Sequence, residues 1–265
     1  MQTRYLFPFL LITTIMLCFW IPEIAHPEAP GHWIHPPTLE SFLFFGTYKQ
    51  DNLLYLVMRS SRITLYISFL SLLVSLGTGF LLIFLDFHPY TRPVFQRLFS
   101  VLIYVPRLFL LILLASFLKL QESSRLSMGL SQYLILLFGL TGGVFLASQS
   151  SGHVTELKEK LFVQFAQSLR VGIGHIFFLH ILRNCTSLPI STVKQMRDNV
   201  LFLSTLTFIG VVQLQPMDLG SLIFEYSRSP EAFSKWWILF FPCAILCWLI
   251  LLFDYLGDRK STRLN

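Results

Sequence analysis

Charge is scarce in this 265-residue chain. Asp, Glu, Lys and Arg make up 13% of it, while hydrophobic residues reach 54% and the mean hydropathy is +0.64. Soluble domains carry about a quarter charged residues, so that class is excluded and a lipid bilayer becomes the expected solvent. Cysteine is scarce too. Cys18, Cys185, Cys243 and Cys247 all fall in apolar stretches without paired spacing, which argues against a disulfide framework and against a zinc site. No GxxxxGKS/T phosphate loop occurs, so the chain does not hydrolyse ATP in the P-loop manner, and neither HExxH nor GxSxG is present to suggest a hydrolase. His175 and His180 stand five apart, roughly 140° around a helix, which is poor geometry for one metal. Neither a metal site nor enzymatic activity is expected. The formal charge of +6 and pI near 9.3 arise from Lys and Arg scattered at the ends of apolar runs, without a basic patch, so no nucleic-acid partner is expected.

What is present is a succession of long apolar runs. Residues 5–21 lack charge and are read as a retained first span, since no small-residue cleavage pattern precedes Pro22. An external loop over 22–61 follows, then spans over 63–85, 98–118, 130–150, about 185–212 and 236–258. The expected fold is an all-α integral membrane protein of six transmembrane helices. Its divisions are the first span and external loop over 1–62, the transmembrane domain over 63–258 and a tail over 259–265. The third span is interrupted by Pro106 and Arg107, and Arg107 either snorkels or faces an interior cavity. In the fourth, Gly139, Gly142 and Gly143 mark a face where another helix approaches closely.

The fifth span is unusual. Lys194, Gln195, Arg197, Asp198 and Asn199 fall near its middle. A turn there would leave only 200–212 embedded, thirteen residues, too few to cross, so a continuous helix is preferred. Lys194 and Asp198 are four apart on one face and Arg197 is three from Lys194, so the charges can neutralise one another. Two roles stay open for them: lining a translocation path against a partner chain, or forming a self-contained salt bridge that fixes packing.

Between the fourth and fifth spans, residues 155–184 read TELKEKLFVQFAQSLRVGIGHIFFLHILRN. Leu157, Leu161, Phe165 and Leu169 recur every four residues with Phe162 and Ala166 beside them, an amphipathic helix in want of an apolar groove. Thr155 is its expected N-cap, Gly172-Ile173-Gly174 its break, and a second short helix should run from His175 to about Leu182.

From Phe162 to Asn184 this segment resembles the cytoplasmic "EAA" loop of ABC-importer permease subunits, in the dipeptide/oligopeptide/nickel group, whose pattern reads roughly YVEAARALGASxxxIIFRHILPN. Phe162-Val163-Gln164, Ala166, Leu169, Ile176, Phe178, His180-Ile181-Leu182 and Asn184 sit on that pattern; Gln164, Arg170 and Arg183 stand where the family has Glu, Gly and Pro. Elsewhere FGTYKQDNLLYLVMRSSRITL, LTFIGVVQLQP and KWWILFFPCAILCWLILLFDYLGD resemble the family's LGTDxxGRDxxSRLLYGARISL, LSFLGLGVQPP and WWLALFPGxAIxLxVLAFNLLGD.

The resemblance implies a coupling helix that docks on an ATP-binding subunit, through Leu161, Gln164, Phe165, Ala166, Leu169, Arg170, Gly172 and Gly174. It implies no cofactor in this chain, ATP being bound by the partner subunit. The implied partners are a second permease in a heterodimer, ATP-binding subunits and an extracytoplasmic solute-binding protein, in the inner membrane with both termini cytoplasmic. Ten Lys and Arg on the coupling-loop side against seven on the other agree with that orientation. Peptide or nickel is the implied cargo. Two alternatives stand beside this: a degenerate permease serving as a structural or assembly component, and a secondary transporter using Lys194 and Asp198 as a relay.

Overall fold

The computed structural model describes residues 10, 12–20, 36–37, 46–48, 51–88, 90–122, 129–169, 171–181, 187–230 and 234–264. Residues 12–20 are helical, and a two-residue antiparallel hairpin, Thr47–Tyr48 (β1) with Asp51–Asn52 (β2), leads into the helices. These are α1 (Leu53–Phe87), α2 (Arg92–Tyr104), α3 (Arg107–Glu122), α4 (Leu130–Lys158) and α5 (Leu161–Ser168). A helical turn, Ile173–His175, continues as a π-helical turn, Ile176–Ile181; then come α6 (Ser187–Phe208), α7 (Leu219–Ser227) and α8 (Trp237–Leu264). Among the described residues, three helices are long and apolar enough to cross a bilayer: α1, α4 and, within α8, Trp237–Asp258.

Several boundaries differ from expectation, each for a local reason. α1 starts ten residues before residue 63, because Asn52 Oδ1 accepts the Leu54 N–H (3.0 Å) and the Gly46 carbonyl accepts the Leu53 N–H (3.1 Å). Together they satisfy two donors that a helix start leaves open. The run over 98–118 is not one helix. Pro106 has no N–H to give and disfavours a helical Val105, so α2 stops at Tyr104 and α3 starts afresh at Arg107. α4 passes straight through Thr155, whose hydroxyl donates back to the Ser151 carbonyl (3.0 Å) instead of capping a new helix. α6 is continuous through its polar cluster, as preferred above. Between the expected spans, the stretch after Met217 contains α7.

The described residues fall into two compact units. The first is drawn from 1–68, 118–125 and 197–256, the second from 69–117, 126–196 and 257–265. In the second unit α1 and α4 meet through the three glycines. A Cβ on Gly139 would lie 2.4 Å from Val74, one on Gly142 2.3 Å from Ser75 Oγ, and one on Gly143 1.8 Å from Thr78 Oγ1. Because the backbones lie this close, Ser75 and Thr78 also donate across the interface, to the Phe138 (3.4 Å) and Gly139 (3.3 Å) carbonyls. Arg107 is buried at the same place, its Nη2 donating to the Phe138 carbonyl (3.3 Å), which settles that it points inward.

The opposite side of α1 carries Tyr66, Phe69, Leu73 and Leu81, all exposed. Small and hydroxyl residues inside with large apolar ones outside is the arrangement that suits lipid. Gly143→Val should therefore destabilise the protein by about 1–3 kcal/mol through overpacking, read as a lower thermal midpoint in detergent. An unchanged midpoint would contradict this close approach.

Candidate functional site

The segment expected to couple, over 155–184, is seated in a core, not suspended from one. After the turn at Glu159 and Lys160, α5 buries Val163 and Ala166 against Ile83 and Phe87 of α1, Ala147 and Val154 of α4, and Ile176 and Phe177 of the π-helical turn. The Phe177 ring is the keystone, packing edge-on against Phe84 (5.2 Å) and tilted against Phe87 (5.7 Å). The outer side of α5 exposes Leu161 (83%) and Phe165 (66%) beside Gln164 and Ser168, and Leu169, just past its end, is 62% exposed.

The expected stripe is thus divided: Ala166 turns inward while Leu161, Phe165 and Leu169 turn out. Gln164 is exposed and donates to the Glu159 carbonyl (3.2 Å), closing the first turn. Gly172 and Gly174 lie in open space, with nothing within 4 Å of an added Cβ, and Arg170 lies outside the described residues.

Behind α5 a polar set ties helix ends together. Lys158, the last residue of α4, donates to the Phe87 carbonyl (2.9 Å) and sits 4.4 Å over the Phe87 ring, so one cation closes the C-terminus of α1. The Asp86 carboxylate is buried and accepts from Ser151 Oγ (2.9 Å), while Arg92 Nη2 donates to Thr155 Oγ1 (3.4 Å). Lys158 stands 28 residues beyond Leu130, about 42 Å at 1.5 Å per residue, beyond a hydrocarbon layer of about 30 Å. Burial, reinforced by nearby Arg92 and opposed by Asp86, pulls its ammonium down to about 8.

The charged cluster of α6 acquires a member from α8. Arg197 donates to Asp198 Oδ1 through Nε (2.9 Å) and Nη2 (2.7 Å), and through Nη1 to Asp254. All three are partly exposed. The pairing expected between Lys194 and Asp198 is replaced by Arg197, and the Lys194 stem instead lies beside Gly257.

Two curated proteins are similar over much of this sequence. The oligopeptide transport system permease protein OppC of Haemophilus influenzae is 28% identical over 239 residues, 86% of this chain and 72% of that protein. OppC of Salmonella typhimurium is 27% identical over 177 residues, 65% of this chain and 54% of that protein. Among solved structures, a chain of the MetNI methionine ABC transporter in an inward-facing conformation matches with a TM-score of 0.60 at 18% identity, covering 80% of this chain and 98% of its own. The chain is thus similar in sequence to oligopeptide permease proteins and in fold to a methionine ABC transporter chain. No protein-family model matches it. The structural likeness speaks for the fold, and the curated relatives are transport permeases.

Two features of this chain carry signals not used above, and a third carries none. Asp254 had a visible signal, since FDYLGD places an acid where the family pattern quoted above has Asn. Asp218 is fully buried and caps α7, accepting from the Gly220 N–H (3.2 Å), the Ser221 N–H (3.2 Å) and hydroxyl (2.5 Å), and Thr207 Oγ1 (2.8 Å). Its signal was an Asp three residues before Ser221, a helix-start pattern. Burial pushes its carboxyl up, and these hydrogen bonds pull it part of the way back. The set around Lys158 had no linear signal, because its members are some 70 residues apart.

Lys158 gives a pH test. Unfolded lysine keeps its proton to about pH 10.4, so between about 8 and that value the folded protein binds fewer protons than the unfolded chain. Stability should then rise with pH across this window and be lower below it. Lys158→Met should flatten that rise in thermal midpoints; a variant with the wild-type slope would contradict the assignment.

Proposed function

We infer that this chain is one of two permease subunits of an ATP-driven importer of short peptides in the bacterial inner membrane. In this reading it has six spans, both termini and the coupling segment are cytoplasmic, and an extracytoplasmic solute-binding protein delivers the ligand. The observation that carries the reading is the double-sided α5. One apolar face is fixed in the core of its own unit by Val163 and Ala166, while Leu161, Phe165 and Leu169 present a second apolar face outward. A helix built this way is a lever: whatever binds the outer face pushes on the ends of α1 and α4. An ATP-binding subunit is the partner that fits, since relatives are permeases of transport systems and this chain has no phosphate loop of its own.

Peptide as cargo follows from the relatives named for oligopeptide transport. Along the path, Arg197, Asp198 and Asp254 face water or the second permease, because two carboxylates on one guanidinium leave a charge in excess, and at that depth an uncompensated charge against lipid costs at least about 2.5 to 3.5 kcal/mol. A relay through Lys194 and Asp198 loses support, since Asp198 is engaged by Arg197.

Phe165→Glu would place a charge in the docking groove of the ATPase, and copurification of the ATP-binding subunit should fall more than tenfold with the permease still folded. Unchanged copurification would remove the docking assignment, leaving a helix that lies on the lipid surface. Asp198→Asn should lower ATP-driven peptide uptake in vesicles by roughly tenfold without loss of assembly. Normal uptake with normal assembly would place the charges outside the path.

A further inference from the structure

In the first unit, the chain leaving α6 makes a built cleft that the coupling scheme does not use. It turns at Gly210, where φ is +79° and a Cβ would sit 2.9 Å from the Phe224 ring, so only glycine suits the turn. The returning end is pinned twice, by Thr207 donating to Asp218 and by the Leu219 N–H donating to Thr64 Oγ1 (3.0 Å). Between these fixed points, residues 213–217 and the face of α7 enclose a cleft of about 300 Å³, at the lower end of the range for small-molecule sites.

The chemistry of its walls is specific. Glu225 and Arg228 both line it, three residues apart at the end of α7, yet they do not bridge each other. Among the described residues the Glu225 carboxylate has no ion-pair or side-chain hydrogen-bond partner. The Arg228 guanidinium rests 4.2 Å over the Phe224 ring, which orients it without neutralising it. Opposite charges at this spacing on a helix surface are in reach of one another, so two separate, unspent charges in one cleft suit a ligand that carries both. Gln213 and Gln215 add carboxamides, and Met217 and Phe224 an apolar wall.

We propose that this cleft binds the zwitterionic backbone of a short peptide with free termini. Glu225 receives the ammonium, Arg228 the carboxylate, the two glutamines the peptide group, and Phe224 with Met217 a side chain. The ligand class rests on the reading of the chain as a peptide permease. In the six-span reading proposed above, the stretch between the fifth and sixth spans is extracytoplasmic, where ligand arrives. It is a receiving subsite at the mouth of the path.

The test is calorimetric titration of the full chain in lipid nanodiscs with tri-alanine, N-acetyl-tri-alanine and tri-alanine amide. Wild type should prefer tri-alanine over either capped form by about tenfold, the usual effect of losing one charge-assisted hydrogen bond. Glu225→Gln should erase the preference over the acetylated form alone, and Arg228→Met the preference over the amide alone. Both side chains are exposed, so neither change reaches the core. Absence of tri-alanine binding to wild type, or capping penalties that persist in both variants, overturns the cleft.

Uptake by the assembled importer is scored separately. A chain that binds tri-alanine in this pattern but supports no ATP-driven uptake keeps the cleft and removes the import reading. Uptake with no capping preference in binding does the reverse.

Discussion

Val163 and Ala166 hold the coupling segment in place. A helix of eight residues has no stability of its own in water, so α5 exists because these two side chains are buried with Ile83, Phe87, Val154 and Phe177. The consequence is mechanical. Close-packed interiors transmit displacement instead of absorbing it, and the residues that seat α5 sit at the ends of α1 and α4. Lys158 strengthens the joint by bonding the last carbonyls of α1 from the last residue of α4. In the import reading, a force on Leu161 or Phe165 would pass through this packing to α1 and α4.

Within the bilayer a different constraint operates. Lipid is as apolar as leucine, so helices gain little by burying leucine against each other and associate through close backbone approach and hydrogen bonds. α1 follows this rule, with Ser60, Ser61, Thr64, Ser68, Ser71 and Ser75 buried and its large apolar residues outside. Ser61, Thr64 and Ser75 return their hydroxyls to carbonyls one turn back, which satisfies them inside a dry interface. Arg197, Asp198 and Asp254 are the exception to the dry interior, and their partial exposure is what ties the import reading to a water-lined path or a second permease.

The long elements were legible because hydropathy alone marks them. Residues 63–85 and 130–150 lie inside α1 and α4, and the glycines of α4 announced the close approach that Val74, Ser75 and Thr78 complete. Ends were less legible, since they depend on single hydrogen bonds such as Asn52 to Leu54, or on a proline acting in concert with its neighbours, as at Pro106. At the coupling segment the period-four stripe was visible, but not its division. Nothing in the string Leu-Phe-Val-Gln-Phe-Ala says that Val163 and Ala166 face the core while Leu161 and Phe165 do not, because both faces are apolar. Likewise Arg197 could be seen as a charge but not as a bridge to Asp254, a partner 57 residues away.

The most direct measurement is cysteine accessibility at Leu161, the most exposed position of the outer face of α5, using Leu161→Cys in a background without the native cysteines. A membrane-impermeant maleimide should label it in inverted vesicles and not in intact cells, and assembly with the ATP-binding subunits should protect it. Labelling from outside the cell, or full reactivity in the assembled transporter, would contradict a cytoplasmic lever driven by an ATPase.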